Sequence, residues 1–205
     1  DGSYLEDQDF WRVNGIERSV TLYAAPLTHI RDLVIDAGLE NAYRDGKLGV
    51  KVELGGQPAA MRVRATLLDG SKPVLVQEGA GLGSVGLAAV VPSVRTWTAE
   101  APNLYTLLVE LLDDEGRLVE ATSRRIGFRM VEIAGGEVRV NGRRIMIRGV
   151  NRHEHDPRTF HIVSEATMRR DIELMKAANV NAVRTSHYPN DPRWYDMADE
   201  YGLYI

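Results

Sequence analysis

The chain has 205 residues with 44% hydrophobic content, enough for one large packed domain or two small ones, so wholesale disorder is excluded. Its 25 basic and 29 acidic residues are well mixed and leave a net charge of -4, with no like-charged block to track a phosphate backbone, which argues against a nucleic-acid partner. No window approaches the roughly 18 to 20 apolar residues of a membrane helix, and the absence of cysteine excludes disulfides and thiolate zinc sites.

The first residues, Asp1, Gly2, Ser3 and Tyr4, have neither the basic nor the apolar region of a signal peptide. The missing initiator Met and a C-terminus (Leu203, Tyr204, Ile205) that reads as the opening of a strand are those expected of an excised fragment. The lack of cysteine fits a reducing cytosol, and a cytoplasmic location is expected.

From Ser19 to about Gly127, short runs rich in β-branched and aromatic residues are broken by turn residues at intervals typical of a sandwich. Residues 62–67 alternate polar and apolar, as a strand with one wet face must. The glycine-rich stretch 79–84 lacks the Lys-Ser/Thr ending of a phosphate loop and is expected to be a mobile loop. Residues 105–111 and 118–121 flank Asp113, Asp114, Glu115 and Gly116, which predicts a hairpin with Gly116 in a left-handed turn.

After Gly127 the period changes. Residues 138–140 and 145–150 flank Asn141-Gly142, the pair suited to a type I′ hairpin, where both central positions need positive φ. A helix follows, with Ser164 as its cap, Glu165 at the positive end of its dipole, and Met168, Ile172 and Met175 on one face. Residues 180–184 read as a buried strand. A second helix is expected from Asp191 as cap and Pro192 as its first residue, with Met197, Ala198 and Tyr201 as the stripe and Gly202 as the stop. Strand, helix, strand, helix, strand is the grammar of a parallel sheet or of a (β/α)8 barrel, and the pattern does not choose between them.

Four of the five histidines (His153, His155, His161, His187) lie in the last third, and His153 and His187 follow the two proposed parallel strands. Asn151, Arg152, Glu154 and Asp156 gather at the first place, Arg184, Thr185, Ser186 and Tyr188 at the second. Sugar hydroxyls both donate and accept, so discriminating a hexose calls for imidazole, amide and carboxylate groups aimed into one pocket. The His153-Glu154-His155 rhythm is wrong for a helical zinc pair. From spacing alone, a single strand-end histidine reads as a loop residue that packs locally. His29 reads as structural, and His161 leans the same way.

Three blocks carry a resemblance: residues 147–154 (Ile-Arg-Gly-Val-Asn-Arg-His-Glu), 168–176, and 181–189 continuing through Trp194 and Tyr195 to 199–204. They closely resemble consecutive blocks of the β-galactosidases of glycoside hydrolase family 2. Residues 6–12 with Gly15 and Ile16 resemble the end of that family's sugar-binding jelly-roll domain, and residues 97–105 the late part of its immunoglobulin-like domain.

The resemblance implies a mainly β fold: the jelly-roll end over 1–24, an immunoglobulin-like β-sandwich over 25–128, and an incomplete α/β segment over 129–205 that begins a TIM barrel. A complete barrel takes roughly 250 residues, so at most its first third is present, and the isolated chain is expected to be a stable sandwich with a weakly ordered or intermolecularly paired tail. The family hydrolyses β-galactosides such as lactose with retention through two glutamates, both implied to lie beyond Ile205, so the chain alone is expected to be inactive. Three residues match galactose-site components: Asp9, a carboxylate that also meets a sodium ion, and the imidazoles of His153 and His187. Arg184 matches an arginine beside the nucleophilic carboxylate. The magnesium ligands are implied to follow Ile205, and Glu154 receives no catalytic role. The resemblance also implies a homo-oligomeric parent. A β-glucuronidase or β-mannosidase of the same family, or a non-catalytic carbohydrate-binding or structural module, are the competing readings.

Overall fold

The computed structural model describes residues 15–57 and 59–205 and divides into two compact units. One gathers residues 23–146 with 199–202, the other 147–198 with 203–205 and the described residues before 23.

In the first unit, β1 (Thr28–Glu40), β2 (Asp45–Gly56), β3 (Met61–Asp69), β4 (Lys72–Gly81), β5 (Ser84–Val91), β6 (Tyr105–Leu112) and β7 (Leu118–Ile126) build two antiparallel sheets, in the orders β1-β2-β5 and β4-β3-β6-β7. The expected sandwich is therefore present. Alternation makes its core: Met61, Val63, Ala65 and Leu67 of β3 are buried, while Arg62 between them is exposed. Leu107, Val109 and Leu111 of β6 and Val52 of β2 are fully buried in the same cluster, each worth about 1.5–3 kcal/mol relative to exposure. On the wet face the register sets Arg64 opposite both Glu78 and Glu110, and its Nε lies 2.6 Å from Glu78 Oε1.

The hairpin between β6 and β7 forms as expected, with Gly116 at φ 83° and Asp113 Oδ1 accepting the N–H groups of Glu115 (3.0 Å) and Arg117 (2.8 Å). The glycine-rich stretch corrects its expectation. Gly79 and Gly81 end β4, Ser84 begins β5, and only Leu82 and Gly83 turn between them, passing the chain from one sheet to the other. A Cβ on Gly81 would stand 2.5 Å from Ser84 O, so the glycines serve a close backbone approach.

A three-stranded sheet follows from β8 (Val131–Ala134), β9 (Glu137–Val140) and β10 (Arg143–Arg144), with β9 central. Asn141 (φ 51°) and Gly142 (φ 75°) both take the left-handed region, as a type I′ turn requires. The run 145–150 is not one strand: β10 stops at Arg144 and the next strand starts only at Gly149. Of that run, the Ile145 N–H still reaches Val138 O at 3.1 Å, residues 146–148 belong to no strand, and only Gly149 and Val150 enter the next sheet, a division that periodicity cannot reveal.

The second unit holds β11 (Gly149–Arg152), α1 (Glu165–Ala177), β12 (Ala182–Thr185) and α2 (Pro192–Tyr201) as far as Ala198. β11 and β12 are parallel, and Tyr204 begins a third parallel position beside Ala182, its carbonyl accepting the Val183 N–H at 2.8 Å. The chain thus opens as a (β/α)8 barrel does, and no closed barrel is formed among the described residues.

Ser164 caps α1, its hydroxyl accepting the Thr167 N–H at 3.1 Å, and Met168 and Ile172 are fully buried. Asn179 at φ 58° follows its C-terminal end, and Gly202 at φ 77° follows that of α2. Ser164→Ala is expected to cost about 1 kcal/mol, seen as faster amide exchange across the first turn of α1 with the sandwich unchanged. Unaltered protection at residues 165–168 would remove the cap from the account.

Candidate functional site

The register of β11 and β12 sets Asn151 opposite Arg184 and Arg152 opposite Thr185, so both strands leave the sheet at the same level. His153 is the next residue after β11, and His187 lies two beyond β12. Their rings meet edge to face with centroids 5.4 Å apart, and His155 stacks on His153 at 5.7 Å. The two imidazoles singled out in the sequence therefore emerge side by side from one rim. The Ser186–His187 peptide is cis, which no residue pattern announced.

Alternation sends neighbouring side chains to opposite faces of the sheet. Asn151 and Arg184, paired in register and both exposed, share the face that Ala182 also occupies and, with Ile147, Gly149 and Tyr204, line an open groove. Arg152 goes the other way and is 5% exposed, its guanidinium 4.0 Å from the ring centroid of Trp194. Arg152 Nε donates to Asp171 Oδ2 of α1 and Nη1 to Asn190 Oδ1, both at 3.0 Å. Stacking and fork-like donation at once suit guanidinium and not ammonium.

Glu154 is buried as well. Its Oε1 accepts the Asp191 N–H at 2.9 Å, its Oε2 accepts from Arg18 Nη2 at 2.5 Å, and its own N–H donates to Tyr188 Oη at 2.9 Å. This carboxylate is engaged at both oxygens. The sequence had not indicated this bracing by Arg152 and Glu154. The usable signal was a charged residue on each side of a strand-end histidine, which alternation turns to the helix-covered side.

His161 is buried, with Nδ1 2.6 Å from Glu17 Oε1, and His29 Nδ1 lies 3.1 Å from Pro26 O in the other unit. Asp9 lies outside the described residues, as do Glu6 and Asp7. Among the described residues no group of three His, Asp or Glu side chains is placed to hold a metal ion.

Desolvation, and then the neighbouring His153, His161 and Arg152, lower the pKa of His155 below the ordinary histidine value, which favours the neutral ring. Burial raises that of the Tyr188 hydroxyl. The hydrogen-bonded guanidinium of Arg193 brings Asp191 down from 3.8 to about 2. A carboxyl whose folded-state pKa is depressed stabilises above its unfolded value, and that stabilisation disappears as pH falls through the folded value. The second unit should therefore lose stability between about pH 4 and pH 2 through this group, and Asp191→Asn should flatten that part of a plot of thermal midpoint against pH. An unchanged acid limb in the variant would show that the pair is not felt.

Residues 28–129 match the family description Glycosyl hydrolases family 2, and residues 131–205 match Glycosyl hydrolases family 2, TIM barrel domain. The chain belongs to glycosyl hydrolase family 2. Among its family 2 relatives, a protein of Photobacterium profundum named beta-galactosidase is 45% identical over the whole of this chain, and one of Vibrio vulnificus with the same name is 44% identical. The chain spans 21% of the length of each. A crystal structure of Parabacteroides merdae beta-glucuronidase with glycerol in its active site superimposes with a TM-score of 0.76 at 27% identity, covering 87% of this chain and 23% of that one. Among the described residues no helix is long and apolar enough to cross a membrane.

Proposed function

We propose that this family 2 chain supplies part of the galactose site of a retaining β-galactosidase acting on terminal β-galactosides such as lactose. The observation that carries the reading is the 5.4 Å pairing of His153 and His187 at the C-terminal ends of adjacent parallel strands, the end where barrel enzymes build their sites. A neutral imidazole offers one donor and one acceptor, the complement of a hydroxyl, and two such rings at right angles address adjacent hydroxyls of one hexose.

Arg184 contributes a fixed positive charge on the groove side of β12. A carboxylate brought beside it stays ionised and ready to attack the anomeric carbon. Retention needs two carboxyl groups about 5–5.5 Å apart, one attacking and one first protonating the leaving oxygen and then activating water. In this proposal both come from residues outside the present sequence, and the chain by itself binds without turning over. Asp9 with a sodium ion, magnesium held elsewhere in the intact protein, a homo-oligomeric assembly and a cytoplasmic setting complete the reading.

The names of the relatives at 44–45% identity favour galactoside over the glucuronide suggested by the structural neighbour at 27%. An intact protein carrying this chain, assayed on β-galactosides, β-glucuronides and β-mannosides of one aglycone, should prefer the galactoside. Preference for either of the others would replace the proposal, and binding of galactose with no hydrolysis of any substrate would make the protein a carbohydrate-binding module.

A further inference from the structure

His153 stands between two charged residues that are almost wholly withdrawn from water, Arg152 at 5% and Glu154 at 1% exposure. A carboxylate so buried costs several kcal/mol unless its oxygens are met by donors. Glu154 meets that demand with the Asp191 N–H and the Arg18 guanidinium. The Asp191 bond ends on the loop that leaves β12, and so does the bond from the Glu154 N–H to Tyr188 Oη. Arg152 repeats the pattern two residues earlier: its carbonyl accepts the Ser186 N–H at 2.9 Å and its guanidinium donates to Asn190. Every one of these ties to the loop falls between Ser186 and Asp191, and His187 lies inside that interval.

We propose that Glu154 is a positioning residue which, together with Arg152, braces the 186–191 loop and so fixes the 5.4 Å spacing of His153 and His187. The inference rests on the reading of those imidazoles as the groups that grip the sugar. Glu154 acts on the reaction only through them. A misplacement near 1 Å at a reacting site costs about a hundredfold in rate, so a brace of this kind is felt in turnover. Glutamine has nearly the same shape but turns one oxygen into an N–H donor, which then faces either the Asp191 N–H or the Arg18 guanidinium. The loop has to shift to separate donor from donor.

The test is a double-mutant cycle in the intact protein carrying this chain, with kcat and KM for a β-galactoside measured for wild type, Glu154→Gln, His187→Ala and the pair. If Glu154 works through His187, E154Q lowers kcat/KM by about tenfold or more in the wild-type background and by less than about threefold once His187 is gone. Equal losses in both backgrounds, or wild-type kinetics in a folded E154Q protein, overturn the inference while leaving the sugar-binding reading intact. Wild-type kinetics in H187A alone overturn that reading and the inference with it. Should E154Q fail to fold, Tyr188→Phe removes only the hydroxyl that ties the loop to the Glu154 N–H. It is expected to show the same non-additivity at severalfold size, and additive behaviour there counts against the brace.

Discussion

In an intact protein carrying this chain, His187→Ala is expected to lower kcat/KM for a β-galactoside at least about tenfold while the fold survives. The size follows from what a hydrogen bond is worth as charge develops: about 1.5–3 kcal/mol to a charged group against 0.5–1.5 for a neutral one. At about 1.4 kcal/mol per factor of ten, removing one donor or acceptor from an oxocarbenium-like transition state costs roughly tenfold to a hundredfold. Part of the loss should fall on kcat, because the ring reshapes on the way to the transition state and its hydroxyl contacts tighten there. His187 is exposed, so its truncation leaves little cavity and should change stability by no more than about 0.5 kcal/mol. His153→Ala is expected to behave similarly in turnover. Kinetics indistinguishable from wild type in a folded H187A protein would end the imidazole's role.

The two histidines were legible because strand ends are legible. Residues 180–184 are short and largely apolar, Asp191 with Pro192 starts a helix, and the connection between them has no room to wander. Local chemistry settled the turns in the same way: Asn141 and Gly142 take the positive φ values that only such residues adopt cheaply, and Ser164 caps the helix it was expected to cap. What the sequence concealed depends on long-range pairing. The glycines at 79–81 look like a loop until β4 is paired with β3 and the close approach of Ser84 explains them. Residues 145–150 look like one strand because the run is apolar, yet Met146 and Ile147 are exposed and only Gly149 and Val150 pair within a sheet. Asp9 lies outside the described residues, so the structure adds nothing to its expected sodium contact. The bracing of the site was hidden for a different reason. A buried arginine and glutamate are rare, and their burial here depends on partners 19 to 136 positions away that no periodicity connects.

Trp194→Ala is expected to destabilise the second unit by about 3–5 kcal/mol, a large fraction of what a small unit has. The indole is fully buried on α2 beside Met197 and Ala198, and removing it leaves a cavity that a helix pinned by Asp191 and Pro192 cannot readily close. It also strips the aromatic face from Arg152, a contact worth about 0.5–2 kcal/mol when desolvated. The guanidinium keeps Asp171 and Asn190 as partners, so the charge is not orphaned, but it loses the surface that fixes its plane. Trp194→Phe retains a ring and should recover more than half of the loss. Amide exchange residue by residue in the isolated chain separates this from global unfolding: protection should fall across 182–198 and persist in β3 and β6, whose core lies in the other unit. Unchanged protection across α2 in the alanine variant would mean that the helix is held elsewhere. If the loss appears as expected, the same variant should also loosen residues 186–191 through Asn190, and His187 would lose its fixed place while its own side chain remains untouched.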